Sequence, residues 1–437
     1  MSGANTTDAV AAKTTAARVA LVAGGEAHSF AALARMAARR AAELPRLAPG
    51  RPLVLEPTLG LGDVSALYAA ALRGAPVALL PRAPERELAA LRAALPARVP
   101  EPVAALLYTS GSTGRRRCAM LDRAAFAASA AAGAAVLGWR DDDRWLACLP
   151  LSSVGGLSIL SRCLRARSTA VLVDPSPRFD AAAIARQIER DRVTLASLVP
   201  TMLVRLLDLS PAWRPPARLR AVLLGGAPAS DALLARAAAR GLPVHTTYSM
   251  TETCSHVAID GRALPGIEIA VREADGDRIA VRGPVVLRGF APPDDRVRAL
   301  DPDGWFVTAD RGAIAGGRLR VLGRADDVIV SGGEKIDPCA VEAVLESIPG
   351  VAAACVFAVA DAEWGQRVAA ALVAGPDGPP RARELEAALA EKLARHQRPR
   401  HLAWIDELAT ATSGKLDRRE TARRAAAHLA PRPRGRP

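Results

Sequence analysis

Leu219-Arg220-Ala221-Val222-Leu223-Leu224-Gly225-Gly226-Ala227-Pro228-Ala229-Ser230 is an apolar run that halts at two glycines and restarts at a helix-capping serine. It reads as a buried strand, a tight loop and a helix start. Working outward, the alternation recurs. Residues 170–173 predict a strand, 180–190 a helix with Asp180 near its N-cap, 193–199 a strand and 202–209 a helix. Beyond the quoted stretch the helix closes at Gly241, and 244–248 give a fourth strand. Strands alternating with helices predict a parallel sheet with right-handed crossovers. In such sheets ligands bind beyond the carboxyl ends of the strands. Three segments fall there: residues 108–114, 225–228 and 249–252.

The first of these is Tyr108-Thr109-Ser110-Gly111-Ser112-Thr113-Gly114, directly behind the apolar run 103–107 and followed by Arg115, Arg116 and Arg117. Its small residues let a backbone approach a ligand closely, and its hydroxyls and N–H groups suit phosphate oxygens. No Gly-Lys-Ser/Thr closes it, so it is not a Walker A loop. Alone, it would be an ordinary turn. Gly60-Leu61-Gly62 fails the dinucleotide fingerprint, because Ser65 stands at the third glycine.

At 437 residues the chain is long enough for two or three domains. Its net charge is +13, and Lys13, Lys335, Lys392 and Lys415 are the four lysines beside 54 arginines. A lysine kept against that bias is worth a question. The arginines are scattered among alanines without interleaved aromatics, which argues against a nucleic-acid surface. Six widely spaced cysteines without a C-x-x-C fit reduced thiols, and no signal peptide or membrane span is read, so a cytoplasmic protein is expected. Residues 430–437 read as a basic tail. Residues 30–44 and 64–73 predict helices, 267–322 a β-rich stretch of short strands, and the chain after Gly323 a compact α+β module.

YTSGSTG (108–114), YSMTET (248–253), GWFVTAD (304–310), GRADDVIVSGGEKIDP (323–338) and SGKLDRRE (413–420) occur in that order. Together they resemble the signature set of the acyl-adenylate-forming superfamily of AMP-dependent synthetases and ligases. The resemblance implies an α/β fold: a large N-terminal domain (1–325) with parallel α/β sheets and a β-rich subdomain, then a small mobile α+β domain (326–437). It implies an enzyme that joins a carboxylic acid to the α-phosphate of ATP, expels pyrophosphate and passes the acyl group to CoA. Charge on the phosphates must be met by positioned donors and a metal ion. ATP, Mg²⁺ and CoA are the expected cofactors.

Residue by residue, the resemblance assigns Thr109, Ser110, Gly111, Ser112, Thr113 and Gly114 to the phosphates, with Arg116 and Arg117 where the family usually has Pro and Lys. Gly225, Gly226, Ala227 and Pro228 match the adenine-side loop. Tyr248 would stack on adenine, Thr251 would bond the α-phosphate and Glu252 would hold Mg²⁺. Asp310 would accept the ribose hydroxyls, with Arg324 as a second ribose contact. Asp326 matches the hinge, and Gly332 and Gly333 would border a pantetheine tunnel. Lys415 would reach the α-phosphate and the substrate carboxylate.

MTETCSHVAI (250–259), SGGEKIDP (331–338) and KLARHQRPR (392–400) further resemble the 2-succinylbenzoate–CoA ligases of menaquinone synthesis. Ser153, Gly156, Thr201 and His256 are the pocket candidates, each equally readable as core or helix cap. Related ligases carry His where Ser153 stands. A different acid, a carrier-protein acceptor and a non-catalytic nucleotide-binding protein stay open as readings, as does a homodimer.

Overall fold

The computed structural model describes residues 17–109, 116–173, 179–210, 212–291, 300–376, 378–411 and 416–431. The chain divides into two compact units. The first runs to Gly226 and takes in Ala237–Ile269 and Val281–Phe306; the second comprises Ala227–Arg236, Ala270–Ala280 and everything from Val307. Among the described residues no helix is long and apolar enough to cross a membrane.

The core of the first unit is a nine-stranded sheet. Its middle is parallel, in the order Val244–Met250, Ala221–Leu224, Leu195–Leu198, Arg144–Ala147, Thr169–Leu172, Val19–Ala23. The quoted stretch forms one of these strands, every residue of Ala221–Leu224 being buried. The crossover helices follow from local chemistry. Asp180 caps Ala181–Arg190 by accepting from the Ala183 N–H, and Pro200 opens Pro200–Leu207, where its missing N–H costs nothing. Antiparallel pairs close both edges: Ser255–Ile259 with Arg262–Ala263 at one, Glu26–Ser29 at the other. The sheet is therefore mixed where the alternation alone predicted a parallel one.

A second sheet of the same unit has Leu53–Leu55, Val77–Leu79 and Val103–Tyr108 parallel, then Cys118–Asp122 and Gly289–Ala291 antiparallel. Val103–Tyr108 is followed by the hydroxyl-rich loop, so that loop is a hairpin connection and not a crossover.

In the second unit, Phe306–Ala315 and Arg318–Arg324 pair antiparallel, with Asp310 opposite Arg324. A further sheet is built on Gly365–Ala374, which pairs Val351–Asp361 on one side and His401–Trp404 on the other. The helices Pro338–Glu346 and Ala382–Lys392 pack their apolar faces, Val341, Leu345, Leu385 and Leu389, into its core.

Candidate active site

In the first unit both ends of the hydroxyl-rich loop are pinned. The Thr109 N–H donates to the Arg117 carbonyl (2.8 Å), and the Arg117 N–H donates to Thr109 Oγ1 (3.2 Å). Ser110, Gly111, Ser112, Thr113 and Gly114 lie outside the described residues. The two described arginines behind the loop part company. Arg116 is taken by Glu87 at 2.8 Å. Arg117 stacks on Phe290, 4.1 Å from the ring centroid, and comes within 3.6 Å of Glu252.

Glu252 and Thr251 sit in the single 3₁₀ turn Thr251–Thr253, in which the strand Val244–Met250 ends. Their placement relative to the glycine loop is fixed by strand register, since Leu224 pairs Thr246. That sets Gly225 against Thr247, where a Cβ would lie 2.2 Å from Thr247 Oγ1. Only glycine fits there. Gly226 follows at φ 85°, a left-handed backbone that glycine adopts without strain. Tyr248, next along, is half-buried. The first unit thus assembles Thr109, Arg117, Gly225, Gly226, Tyr248, Thr251 and Glu252 from three connections of its two sheets.

The second unit carries another group of expected residues. Asp310 lies 3.5 Å from Arg324, which lies 3.5 Å from Asp326. One guanidinium therefore links the expected ribose carboxylate to the expected hinge. Ala227 and Pro228 open that unit's segment Ala227–Arg236. Gly332 and Gly333 turn at φ 59° and 88°. Trp364, not singled out from sequence, covers the first of them: a Cβ on Gly332 would lie 2.3 Å from its ring, and the indole is 47% exposed. Lys415 lies outside the described residues.

The pocket candidates separate. Ser153 is the N-cap of the helix Val154–Ala166, accepting from the Gly156 N–H and donating to the Pro150 carbonyl. A Cβ on Gly156 would lie 2.3 Å from that same carbonyl. Both residues therefore shape the start of this pocket helix. Thr201 is half-buried in the first turn of Pro200–Leu207. His256 is buried, and its Nδ1 has no partner among the described residues. Burial, and then the charge of Arg162, hold its imidazole well below the usual histidine range, so it is neutral.

Arg162 is the residue sequence reasoning missed. It lies two turns along the pocket helix, is 1% exposed, and has no carboxylate in ion-pair range among the described residues. Its Nη2 donates to Ser129 Oγ at 3.2 Å, its plane lies 5.6 Å from the Trp145 ring, and its Nε has no partner among the described residues. Burial pushes its pKa down to about 10, which leaves it charged at neutral pH. One sequence signal could have found it: Arg162 stands four residues after Ser158, on the face that also buries Gly156 and Ile159.

Residues 69–304 match the AMP-binding enzyme family, and 340–415 match the C-terminal domain of AMP-binding enzymes. The chain belongs to the AMP-binding enzyme family. Over 335 residues it is 37% identical to a 2-succinylbenzoate–CoA ligase of Bacillus cereus, covering 72% of this chain and 68% of that protein. The structure of o-succinylbenzoate CoA synthetase from Bacillus subtilis with the acyl-adenylate intermediate OSB-AMP aligns at a TM-score of 0.81 and 30% identity, over 94% of this chain and 96% of that one. The same synthetase in complex with ATP and magnesium ion aligns at 0.80 and 29%, over 94% and 98%.

The donor set suits what this AMP-binding enzyme requires. Among the described residues no three His, Cys, Asp or Glu side chains cluster to make a protein-only metal cage. Mg²⁺ at nucleotide sites is usually held by one or two carboxylates together with substrate phosphates. Glu252, 13% exposed and facing Arg117, offers one such carboxylate.

Proposed function

We propose that the chain is an acid–CoA ligase that converts 2-succinylbenzoate to its acyl-adenylate with release of pyrophosphate, and then to the CoA thioester, as a cytoplasmic enzyme. The observation that carries the choice of acid is Arg162. A fully buried guanidinium without a carboxylate partner is costly, and an anion delivered by the substrate offsets that cost. 2-Succinylbenzoate has two carboxylates: one is activated, and the other remains to meet a cation. Its kinship with the ligase of Bacillus cereus supports the same acid.

The proposed division of labour follows the geometry within each unit. Arg117 and the loop after Thr109 would neutralise the β- and γ-phosphates, Thr251 would donate to the α-phosphate, and Glu252 would help hold Mg²⁺, which would supply positive charge against the phosphates. The turn Gly225–Gly226 beside Tyr248 receives adenine, with Ala227 and Pro228 continuing that loop. Asp310 takes the ribose hydroxyls, oriented by Arg324. Lys415 supplies an ammonium as the carboxylate attacks, where a point charge on a flexible stem reaches what a planar guanidinium cannot. Residues 1–325 and 326–437 form the two domains, turning at Asp326, and Gly332 with Gly333 admits the pantetheine arm of CoA.

The test is pyrophosphate release across 2-succinylbenzoate, benzoate and other aryl acids, with and without CoA. ATP- and acid-dependent release with 2-succinylbenzoate, and thioester formation with CoA alone, are expected. Release only with acids lacking the second carboxylate would refute the choice of acid. Ser153, standing where related ligases have His, favours a second reading with another aryl acid, and the same panel separates the two.

A further inference from the structure

Ser129 lies in the helix Arg123–Leu137 and has no assigned contact with substrate or nucleotide of its own, but it touches Arg162, the residue proposed for the acid. It is 1% exposed, and its hydroxyl both accepts and donates. Oγ accepts from Arg162 Nη2 at 3.2 Å and donates to the Cys254 carbonyl at 2.8 Å. Cys254 directly follows the turn that carries Thr251 and Glu252, and its own N–H donates to the Thr251 carbonyl. A single side chain therefore joins the buried arginine to the backbone of the acid-bearing turn.

That backbone is strained. Cys254 and Ser255 stand at φ 52° and 102°, and the second value is one that non-glycine residues rarely adopt. Side chains hold it in place. The buried Thr253 donates to the Ser255 carbonyl at 3.0 Å, and the Ser255 hydroxyl lies 3.4 Å from that of Ser158, one turn before Arg162 on the pocket helix. The pocket helix thus reaches the strained step twice, once through Ser158 and once through Arg162 and Ser129. A buried, strained segment held by discrete hydrogen bonds has few alternative arrangements, which makes it suited to transmit a change at one end to the other.

We infer that Ser129 is a positioning residue that couples occupancy of the acid pocket to the geometry of the Thr251–Glu252 turn. An anion arriving at Arg162 competes for the guanidinium. The Ser129 hydroxyl then adjusts its hold on the Cys254 carbonyl, and the turn beside it settles into the arrangement that binds nucleotide and metal. The acid and ATP each bind more tightly in the presence of the other. This inference rests on the proposed assignment of Arg162 to the acid and of Glu252 to Mg²⁺.

The experiment measures the affinity of Mg²⁺ and α,β-methylene-ATP by calorimetry, with and without saturating 2-succinylbenzoate. In the native enzyme the acid is expected to tighten nucleotide binding about five-fold or more. Ser129→Ala should bring that factor to within about two-fold of unity, with acid-free nucleotide affinity changed by less than about two-fold. Ser129→Thr, which keeps the hydroxyl, should retain the coupling. If the alanine variant does not fold, Ser129→Cys decides, since it keeps the volume and weakens both hydrogen bonds. A folded Ser129→Ala or Ser129→Cys variant with native coupling overturns the inference. So does a native enzyme that binds both ligands independently, and that result leaves the proposed function standing. A native enzyme that binds no nucleotide overturns both.

Discussion

Arg162 in the first unit and Arg418 in the second are guanidiniums withdrawn from solvent, and their surroundings are opposite. Arg418 grips Glu342 through both terminal nitrogens, lies 3.5 Å from Asp327 and donates to the Val356 carbonyl at 2.6 Å. Burial alone would lower its pKa, but the charge of Glu342 raises it above the ordinary arginine value. Arg162 has one hydroxyl, the face of Trp145 and an unpartnered Nε. Arg418 also has an Nε without a hydrogen-bond partner among the described residues, but its countercharge is built in. It ties the start of the helix Arg418–Ala425 to the helix Pro338–Glu346 and to the residue after Asp326, all inside one unit. Arg162 carries a charge that no carboxylate among the described residues answers. A buried cation whose countercharge is built in reads as architecture, whereas one whose countercharge is lacking reads as recognition.

The largest effect is expected from Lys415, the cation proposed for the chemistry. Lys415→Ala should lower the rate of acyl-adenylate formation about a thousandfold, as removal of a positioned transition-state donor does. It should leave conversion of supplied acyl-adenylate to thioester within about ten-fold, because Lys415 is assigned to the attack on ATP, a step that supplied acyl-adenylate has already passed. Rapid-quench measurement of the two halves separates the roles. Equal losses in both would place Lys415 with Arg418 as a structural cation.

Arg418→Met comes next and should act on stability. It strands the Glu342 carboxylate in the interior, at a cost of about 3–4 kcal/mol. Denaturant unfolding should show the loss, and Arg418→Met combined with Glu342→Gln should recover a large part of it. Additive losses in the double variant would remove the claim that the pair is a unit.

Arg162→Met should invert that pattern. Replacing an uncompensated buried charge by an apolar side chain of similar length is expected to change stability by less than about 1 kcal/mol. The kcat/KM for 2-succinylbenzoate should fall by about a hundredfold, as loss of a charge-assisted contact of about 2–3 kcal/mol requires. Turnover of benzoate, if benzoate is accepted, should hold, and the KM for ATP with 2-succinylbenzoate should rise by no more than the coupling of about five-fold. A stability loss as large as that of Arg418→Met, with both acids affected alike, would make Arg162 architecture too.

The same contrast explains what could be read from the chain. Alternation and capping chemistry are local, so the helix Ala181–Arg190 with its Asp180 cap and the buried strand Ala221–Leu224 were legible. The edges of the large sheet were not. Glu26–Ser29 is half polar and exposed, with no apolar run to announce it, and the antiparallel return of Ser255–Ile259 depends on two positive-φ residues that are not glycine. At the site, Thr251, Glu252 and Gly225 stood out because turn chemistry and missing side chains leave a trace in sequence. Arg162 left little, being one of 54 arginines, and only the fold shows that it is fully buried with no carboxylate in ion-pair range among the described residues. Ser153 was equally readable as pocket, core or helix cap, and the structure shows it capping the helix Val154–Ala166. Polar residues near a site serve its scaffold as readily as its ligand, and spacing does not distinguish the two.

The smallest effect tests how far the compensation by Arg418 extends. Glu346 lies one turn beyond Glu342 on the same helix, accepts from the Ala354 N–H at 3.2 Å, and has no arginine of its own in ion-pair range among the described residues. Burial, with the Glu342 charge adding to it, pushes its carboxyl up to about 7 from an ordinary 4.5. The folded state therefore holds a proton there that the unfolded chain releases. That contribution to stability is present in full below the unfolded value, and it is lost as pH rises through the folded one. Between about pH 5 and pH 7.5 the native protein should lose on the order of 1–2 kcal/mol by this route, less than the full shift implies because the group is not wholly buried. Glu346→Gln keeps an acceptor for Ala354 and cannot titrate, so its unfolding free energy should be flatter across that window. Parallel pH profiles for the two proteins would mean that the charge of Arg418 already serves both carboxylates.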